Sequence, residues 1–396
     1  MRATIPSIVR IFIKDETAGA KLILLAALLS LAIVNSPLRS VYSEFWHLPL
    51  SIGLGDFTLS LDLRHWLNEA LMAFFFLVVG LEIKRELVKG ELHNLKVAAL
   101  PIGAAVGGMI LPALIYIAFN QNTETFRGWG IPIATDIAFA VAVLTLLGHR
   151  VPLPLKLFLL TLAIADDIGA IIVIALFYAE IINHAFLLIS VTILTGLVLF
   201  RNVLTNSMLL LLSVSLILWI TTHLSGIHAS IVGAAVGLLV PVTNGSEIRT
   251  MAPRLERLFL PFSTFVVLPL FAFANAGVVL TGTALITNQS VMIGIILGLV
   301  LGKAIGIAGA SWLLVRLGIA QLPQGTNWRH IIGVGFIAGI GFTVSIFITE
   351  LAFVDTPHLI TAAKVSIFIA SALSALLGIL TLLAASVTKE TRSKLL

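Results

Sequence analysis

Cysteine does not occur anywhere in the 396 residues, and only 11% of them carry charge. The first absence excludes disulfides, thiolate metal sites and iron–sulfur clusters. The second leaves 59% hydrophobic residues with too little charge to cover them, and more apolar surface than a soluble core of this length can bury. The chain therefore reads as an all-α polytopic membrane protein. A net charge of +5 would suit a nucleic-acid partner in a soluble protein, but in a membrane chain it is an orientation signal. The expected partner is the lipid bilayer, and no nucleic acid.

The few charges inside apolar stretches mark the functional candidates. Leu162–Ile172 reads L-A-I-A-D-D-I-G-A-I-I, which sets Asp166 and Asp167 side by side in an apolar segment. Each costs roughly 2.5 to 3.5 kcal/mol at the centre of a bilayer, and a structural hydrogen bond is met at lower cost by Asn or Ser. Successive helical residues point about 100° apart, so the two carboxylates face different surroundings. One can meet a buried cation of the protein while the other meets water.

In chain order, Met1–Asp15 places Ile5, Ile8, Val9, Phe12 and Ile13 among Arg2, Arg10 and Lys14, the pattern of a short helix on a membrane surface. Lys21 leads into an apolar run ending near Ile33, with no small-residue cleavage site after it, so the run is read as a retained span. Leu50–Leu63 alternates apolar and polar residues about Gly55-Asp56 and predicts an extramembrane β-hairpin. A free hairpin edge is a template for a second chain, so a homodimer contact is expected near 50–63.

Apolar segments follow at about 66–83, 97–118, 125–146, 154–178, 185–200, 207–221, 227–241, 259–276, 290–315, 329–353 and 360–386. With the first run they make twelve spans, each near the ~20 residues a bilayer needs except those around 207–241. Counting Lys and Arg by alternate loops puts nineteen on the N-terminal side and only Arg39, Arg64, Arg127 and Lys364 on the other, with Lys303 inside a span. Both termini are therefore expected in the cytoplasm.

Two spans carry breaks. Gly128-Trp-Gly-Ile-Pro132 precedes Ile133-Ala-Thr-Asp-Ile-Ala-Phe139 in the fourth, and Gly333-Val-Gly-Phe-Ile-Ala-Gly-Ile-Gly341 precedes Phe342-Thr343-Val344 in the eleventh. The two stretches align at several positions. Seven spans apart, they would enter the membrane from opposite sides, so spans 3–5 and 10–12, about 97–178 and 290–386, are expected to form an inverted repeat within one transporter domain, 1–396. Broken helices at membrane depth line a cavity or are buried in protein, and each break exposes partial charges. Asp136 at the first break can offset positive ends, and Lys303 can offset negative ones.

At these residues the chain resembles the NhaA-type sodium/proton antiporter family. The matching motifs are F-F-L-V-V-G-L-E-I-K-R-E-L at 75–87, A-T-D-I-A-F at 134–139, A-I-A-D-D-I-G-A at 163–170, S-G-I-H-A at 225–229, L-P-L-F-A-F-A-N-A-G at 268–277, G-K-A-I-G-I at 302–307 and A-G-I-G-F-T at 338–343. Broken helices in inverted repeats are already described for transporters of this family. The resemblance implies twelve spans with crossed, unwound fourth and eleventh helices in a bacterial inner membrane. It implies electrogenic exchange of sodium, or lithium, for protons, with no cofactor and no enzymatic step. It also implies that Asp166 and Asp167 form the ion site, with Thr135 and Asp136 beside it on the unwound helix and Lys303 on the tenth span. The transported sodium would be held by Asp166, Asp167 and Thr135, oxygen ligands of the kind a hard cation takes. Lys303 can alternatively serve the fold alone.

Glu69, Glu82, Lys84, Arg85 and Glu86 straddle the second span, and Glu256 and Arg257 begin the ninth. Surface ion pairing is one reading of them. The resemblance implies another for Glu82, Lys84, Arg85, Glu86, Glu256 and Arg257, a cytoplasmic pH-sensing region, where Arg257 and Leu260 depart from the family's histidines. His228 reads as a packed, hydrogen-bonded residue rather than a ligand. Three rival functions remain. An intramembrane aspartyl protease needs a glycine before one aspartate, which neither A-T-D nor A-D-D supplies. A sodium-coupled symporter of an organic solute needs more polar groups in its core. A passive channel does not require a titrating pair.

Overall fold

A computed structural model of the chain describes residues 17–54, 57–121, 123–179, 181–204, 206–242, 251–279 and 288–393. The expected surface helix at 1–15 and the Gly55-Asp56 turn lie outside the described residues. The chain is mostly helical with one small antiparallel sheet. Among the described residues seven helices are long and apolar enough to cross a membrane, and nine if each of two bent pairs is one span. This is a multi-pass membrane protein. The twelve expected segments include pieces too short to span alone. His184–Leu199 and Met208–Leu224 have 16 and 17 residues and Ile231–Leu239 only 9, against the ~20 that cover a hydrocarbon core.

The chain divides into two compact units, each assembled from distant stretches. One comprises residues 1–25, 94–169 and 280–396, and the other 26–93 and 170–279. In the first unit, Leu95–Phe119 packs against Lys303–Arg316 through facing glycines. A Cβ on Gly107 would lie 2.4 Å from Gly306 O, and one on Gly306 would lie 2.2 Å from Gly107 O. Only residues without side chains let two backbones approach so closely, the usual device where lipid offers helices no hydrophobic drive to associate. In the same unit Trp328–Ala338 and Phe342–Ala352 are bent by 47° at their junction and run beside the long helix Pro357–Ser393.

In the second unit Met72–Lys89 and Ile231–Leu239 interlock the same way, since a Cβ on Gly233 would lie 1.9 Å from Ala73 O. Strands β1 (Pro49–Leu54) and β2 (Phe57–Asp62) pair with Leu50 opposite Leu61 and Ile52 opposite Leu59. The alternation thus sorts apolar residues to one face, where Leu50 and Ile52 stay exposed. The hairpin is tied down at its base. Trp66 Nε1 donates to Leu50 O at 2.8 Å, and Asp62 accepts from His65 N at 2.7 Å. Burial works against the Asp62 carboxylate, but hydrogen bonds from His65 and His47 outweigh it and hold its pKa below the usual value.

One basic residue is not where the loop count put it. Lys364 is inside Pro357–Ser393, buried and 2.5 Å from Glu350, so it is not a loop charge. Its carboxylate partner lets a cation enter an apolar helix, which a count by sequence position cannot see.

Candidate functional site

The candidate site is built in the first unit from two interrupted helices. Pro132 lies in a short 3-10 stretch, Arg127–Ile133, after which Ala134–Asp136 leave helical geometry before Ile137–Leu147 begins. Between Trp328–Ala338 and Phe342–Ala352, residues Gly339–Gly341 make the second interruption. Backbone groups freed by such breaks must find partners, because no water in lipid can supply them. Here the breaks satisfy each other. Asp136 N donates to Ile340 O at 2.7 Å, Thr135 Oγ1 donates to Ala338 O at 2.8 Å and Ser345 Oγ donates to Ile131 O at 2.8 Å.

Asp136 joins them through its side chain as well. Its Oδ1 accepts from Phe139 N at 3.2 Å, and its Oδ2 accepts from Thr343 N at 3.0 Å and from the Thr343 hydroxyl. One buried carboxylate therefore serves the N-terminal ends of two helices, where partial positive charge gathers.

Asp166 and Asp167 come from the helix Leu153–Phe177 and are both buried. Lys303 Nζ donates to Asp166 Oδ2 at 2.5 Å, and neither side chain has any exposed surface. The lysine opens Lys303–Arg316 directly after the π-helical turn Gly298–Gly302, a widened turn that recurs at functional positions. Asp166 Oδ1 has no hydrogen-bond partner, and the neighbouring Thr135 hydroxyl is committed to Ala338 O. Asp167 lies within electrostatic reach of Lys303. Among the described residues no three Asp, Glu, His or Cys side chains gather as a metal site. A cation at the aspartate pair would draw its other ligands from hydroxyl, carbonyl or water oxygens.

The structure thus gathers Thr135, Asp136, Asp166, Asp167 and Lys303 into one unit. Asp166 contacts Lys303, and Asp136 holds the second break rather than the aspartate pair. The remaining candidates belong to the second unit. Glu82, Arg85, Glu86 and Glu256 are electrostatic neighbours there, with Arg85 Nη1 3.6 Å from Glu256 Oε2. Glu86 Oε2 also accepts from Glu91 N at 3.1 Å. Lys84 is half-buried and Arg257 exposed, and the described contacts bring neither into that ion pair.

Glu69 departs from the surface reading. It sits in the π-helical turn Leu67–Leu71, buried, with His228 Nδ1 2.9 Å from Oε1 and Ala229 N donating to Oε2 at 2.8 Å. A carboxylate this deep needs partners that exposed ones find in water. Sequence reasoning also missed Thr343, whose only signal was a threonine two residues past Gly341, and the Glu350–Lys364 pair, of which the count of basic residues had considered the lysine alone.

Comparison with known proteins gives the same family by a separate route. The profile described as "Na+/H+ antiporter 1" matches residues 10–382. The chain is 44% identical over 372 residues to Na(+)/H(+) antiporter NhaA 1 of Clostridium beijerinckii, covering 93% of this chain and 92% of that one. It is 45% identical over 372 residues to Na(+)/H(+) antiporter NhaA of Escherichia coli strain UTI89, with 93% and 95% covered. Against Na(+)/H(+) antiporter NhaA of Helicobacter pylori the identity is 40% over 413 residues, with 94% of each covered.

Proposed function

Because the chain belongs to the Na+/H+ antiporter 1 family, we propose that it expels cytoplasmic sodium, and lithium, in exchange for external protons. The two cargoes compete for the aspartate pair Asp166 and Asp167. What supports this reading is the side-by-side burial of that pair with Lys303 in the unit whose two helix breaks meet at Asp136 and Thr135. Groups this expensive to bury in lipid are retained for function.

Sodium enters from the cytoplasm once Asp167 has released its proton. Drawn also toward Asp166, it displaces the Lys303 ammonium, which sheds a proton of its own. Movement about the paired breaks then opens the site outward, where protons return to Asp167 and Lys303 and the ion leaves. Two protons in against one sodium out moves one net charge. Each such charge couples to the membrane potential by about 2.3 kcal/mol per 100 mV. Asp136 holds the two breaks together during the movement, and Thr135, which donates its hydroxyl proton to Ala338 O, offers the lone pairs of that oxygen to the ion.

The same reading takes the chain as twelve spans with an inverted repeat, in a bacterial inner membrane with both termini cytoplasmic. It takes Glu82, Lys84, Arg85, Glu86, Glu256 and Arg257 as the cytoplasmic region that sets the pH response, and a homodimer joined through the β-hairpin.

The decisive experiment is Asp167→Asn in everted membrane vesicles. Sodium-driven collapse of a proton gradient is expected to be lost, because asparagine neither releases a proton nor offers an anionic ligand. Undiminished exchange overturns the proposal.

A further inference from the structure

The helix that bears Thr343 carries a second buried charge pair, for which the exchange scheme has no use. Lys364 Nζ lies 2.5 Å from Glu350 Oε1, with the two side chains 5% and 14% exposed. Glu350 Oε1 has no hydrogen-bond partner, so the contact is an ion pair without hydrogen-bond alignment. Helix dipoles do not account for it. Glu350 stands in the last turn of Phe342–Ala352, where its charge is disfavoured, and Lys364 is the eighth residue of Pro357–Ser393, beyond the first turn over which that helix end acts. Each residue needs the other.

The position of the pair is informative. Glu350 follows Thr343 by seven residues, two turns along the same face and about 10 Å away. Lys364 precedes Ser371 by the same seven, and Ser371 Oγ accepts from Phe342 N at 3.4 Å. One turn further, a Cβ on Gly339 would lie 2.6 Å from Ser374 Oγ. The partners Gly339 with Ser374, Phe342 with Ser371 and Glu350 with Lys364 step in opposite directions along the two segments, so the contacts describe one antiparallel register. Between the last two rungs Ile346 and Phe347 are fully buried. The influence of the pair on Asp136 is carried by helix position. Buried ion pairs are weak sources of net stability, and fixing a register is their best-attested use.

We propose that Glu350 and Lys364 form a positioning clasp for the ion site. The clasp fixes how far Phe342–Ala352 stands along Pro357–Ser393, and so holds the N–H and hydroxyl of Thr343 on Asp136. This inference rests on the functional reading above.

The test compares wild type, E350Q, K364M and the exchanged pair E350K/K364E in proteoliposomes. Sodium KM and kcat for proton exchange are measured, with thermal stability of the same proteins in detergent. Each single change is expected to raise the sodium KM at least fivefold with kcat within twofold. The exchanged pair returns KM to within twofold of wild type. A merely structural pair lowers Tm and leaves KM alone, so E350Q with wild-type KM overturns the clasp whatever its Tm. If the single variants do not fold, the exchanged pair decides. A clasp that acts by register alone works in either polarity, so an exchanged pair that fails to fold, or folds with KM still raised, overturns it too. A wild-type protein that moves no protons in response to sodium defeats the functional reading instead. The clasp is then judged by whether the exchanged pair restores the Tm lost in the single variants.

Discussion

Asp136→Asn keeps the shape of the side chain and takes away one acceptor. The native carboxylate accepts from Phe139 N through one oxygen and from both Thr343 donors through the other. An asparagine has one oxygen to offer, so in either orientation its amide nitrogen faces a donor N–H, that of Phe139 or that of Thr343. Leaving a buried donor without a partner costs about 1 to 3 kcal/mol. We expect Asp136→Asn to lower thermal stability and to raise the sodium KM roughly tenfold or more, 1.4 kcal/mol being a tenfold factor. Wild-type stability and KM would show that the two breaks are held by their backbone bonds alone.

Much at this scale was legible. Asp166, Asp167 and Lys303 stand out because their cost in lipid makes each a signal. Thr343 did not, since it is 207 residues from Asp136 and a threonine in an apolar helix carries no such cost. Glu69 was misread for the opposite reason. Its burial depends on His228 and Ala229, 159 and 160 residues away, which no local pattern announces.

Elements with a local cause were readable one by one. The hairpin follows from a period of two on either side of Gly55-Asp56, and the second helix break from its run of glycines. The π-helical turns at Leu67–Leu71, Ser263–Val267 and Gly298–Gly302 were not readable, because an extra residue per turn leaves the apolar composition unchanged. The hairpin also supports a prediction. A two-stranded sheet is marginal by itself, and β1–β2 shows exposed Leu50 and Ile52 on its apolar face together with strand edges that a second copy can pair with. Removal of residues 50–63, or Ile52→Lys on the same face, is expected to convert the detergent-solubilised protein from dimer to monomer in light scattering. A fully dimeric deletion variant excludes the hairpin as the contact.

For the whole molecule, the proposed orientation rests on the count of basic residues, from which Lys364, buried in a helix, drops out. Nineteen basic residues now stand against Arg39, Arg64 and Arg127, and such a bias sets which side faces the cytoplasm. That each unit is assembled from distant stretches was not readable, because the contacts that close it join segments far apart in the chain. Those contacts nonetheless constrain the crossing pattern. Arg127 pairs with Asp355 at 3.1 Å, Asn120 Nδ2 donates to Ser290 O at 2.9 Å, Asn35 Nδ2 to Val278 O at 2.7 Å and Asn183 N to Ser225 O at 3.0 Å. Each joins two of the segment ends that a twelve-span chain puts outside, while Arg85 and Glu256 join two that it puts inside. The absence of native cysteine makes this directly measurable. Single cysteines at Ser51, Ile181 and Val354, all exposed, should react with an impermeant maleimide on intact cells. Cysteines at the exposed His149 and Gln321 should react only after permeabilisation. Labelling of His149→Cys from outside would reverse the orientation. Labelling of Ser51→Cys and Val354→Cys from opposite sides would rule out an even number of crossings between them, and with it the twelve-span count.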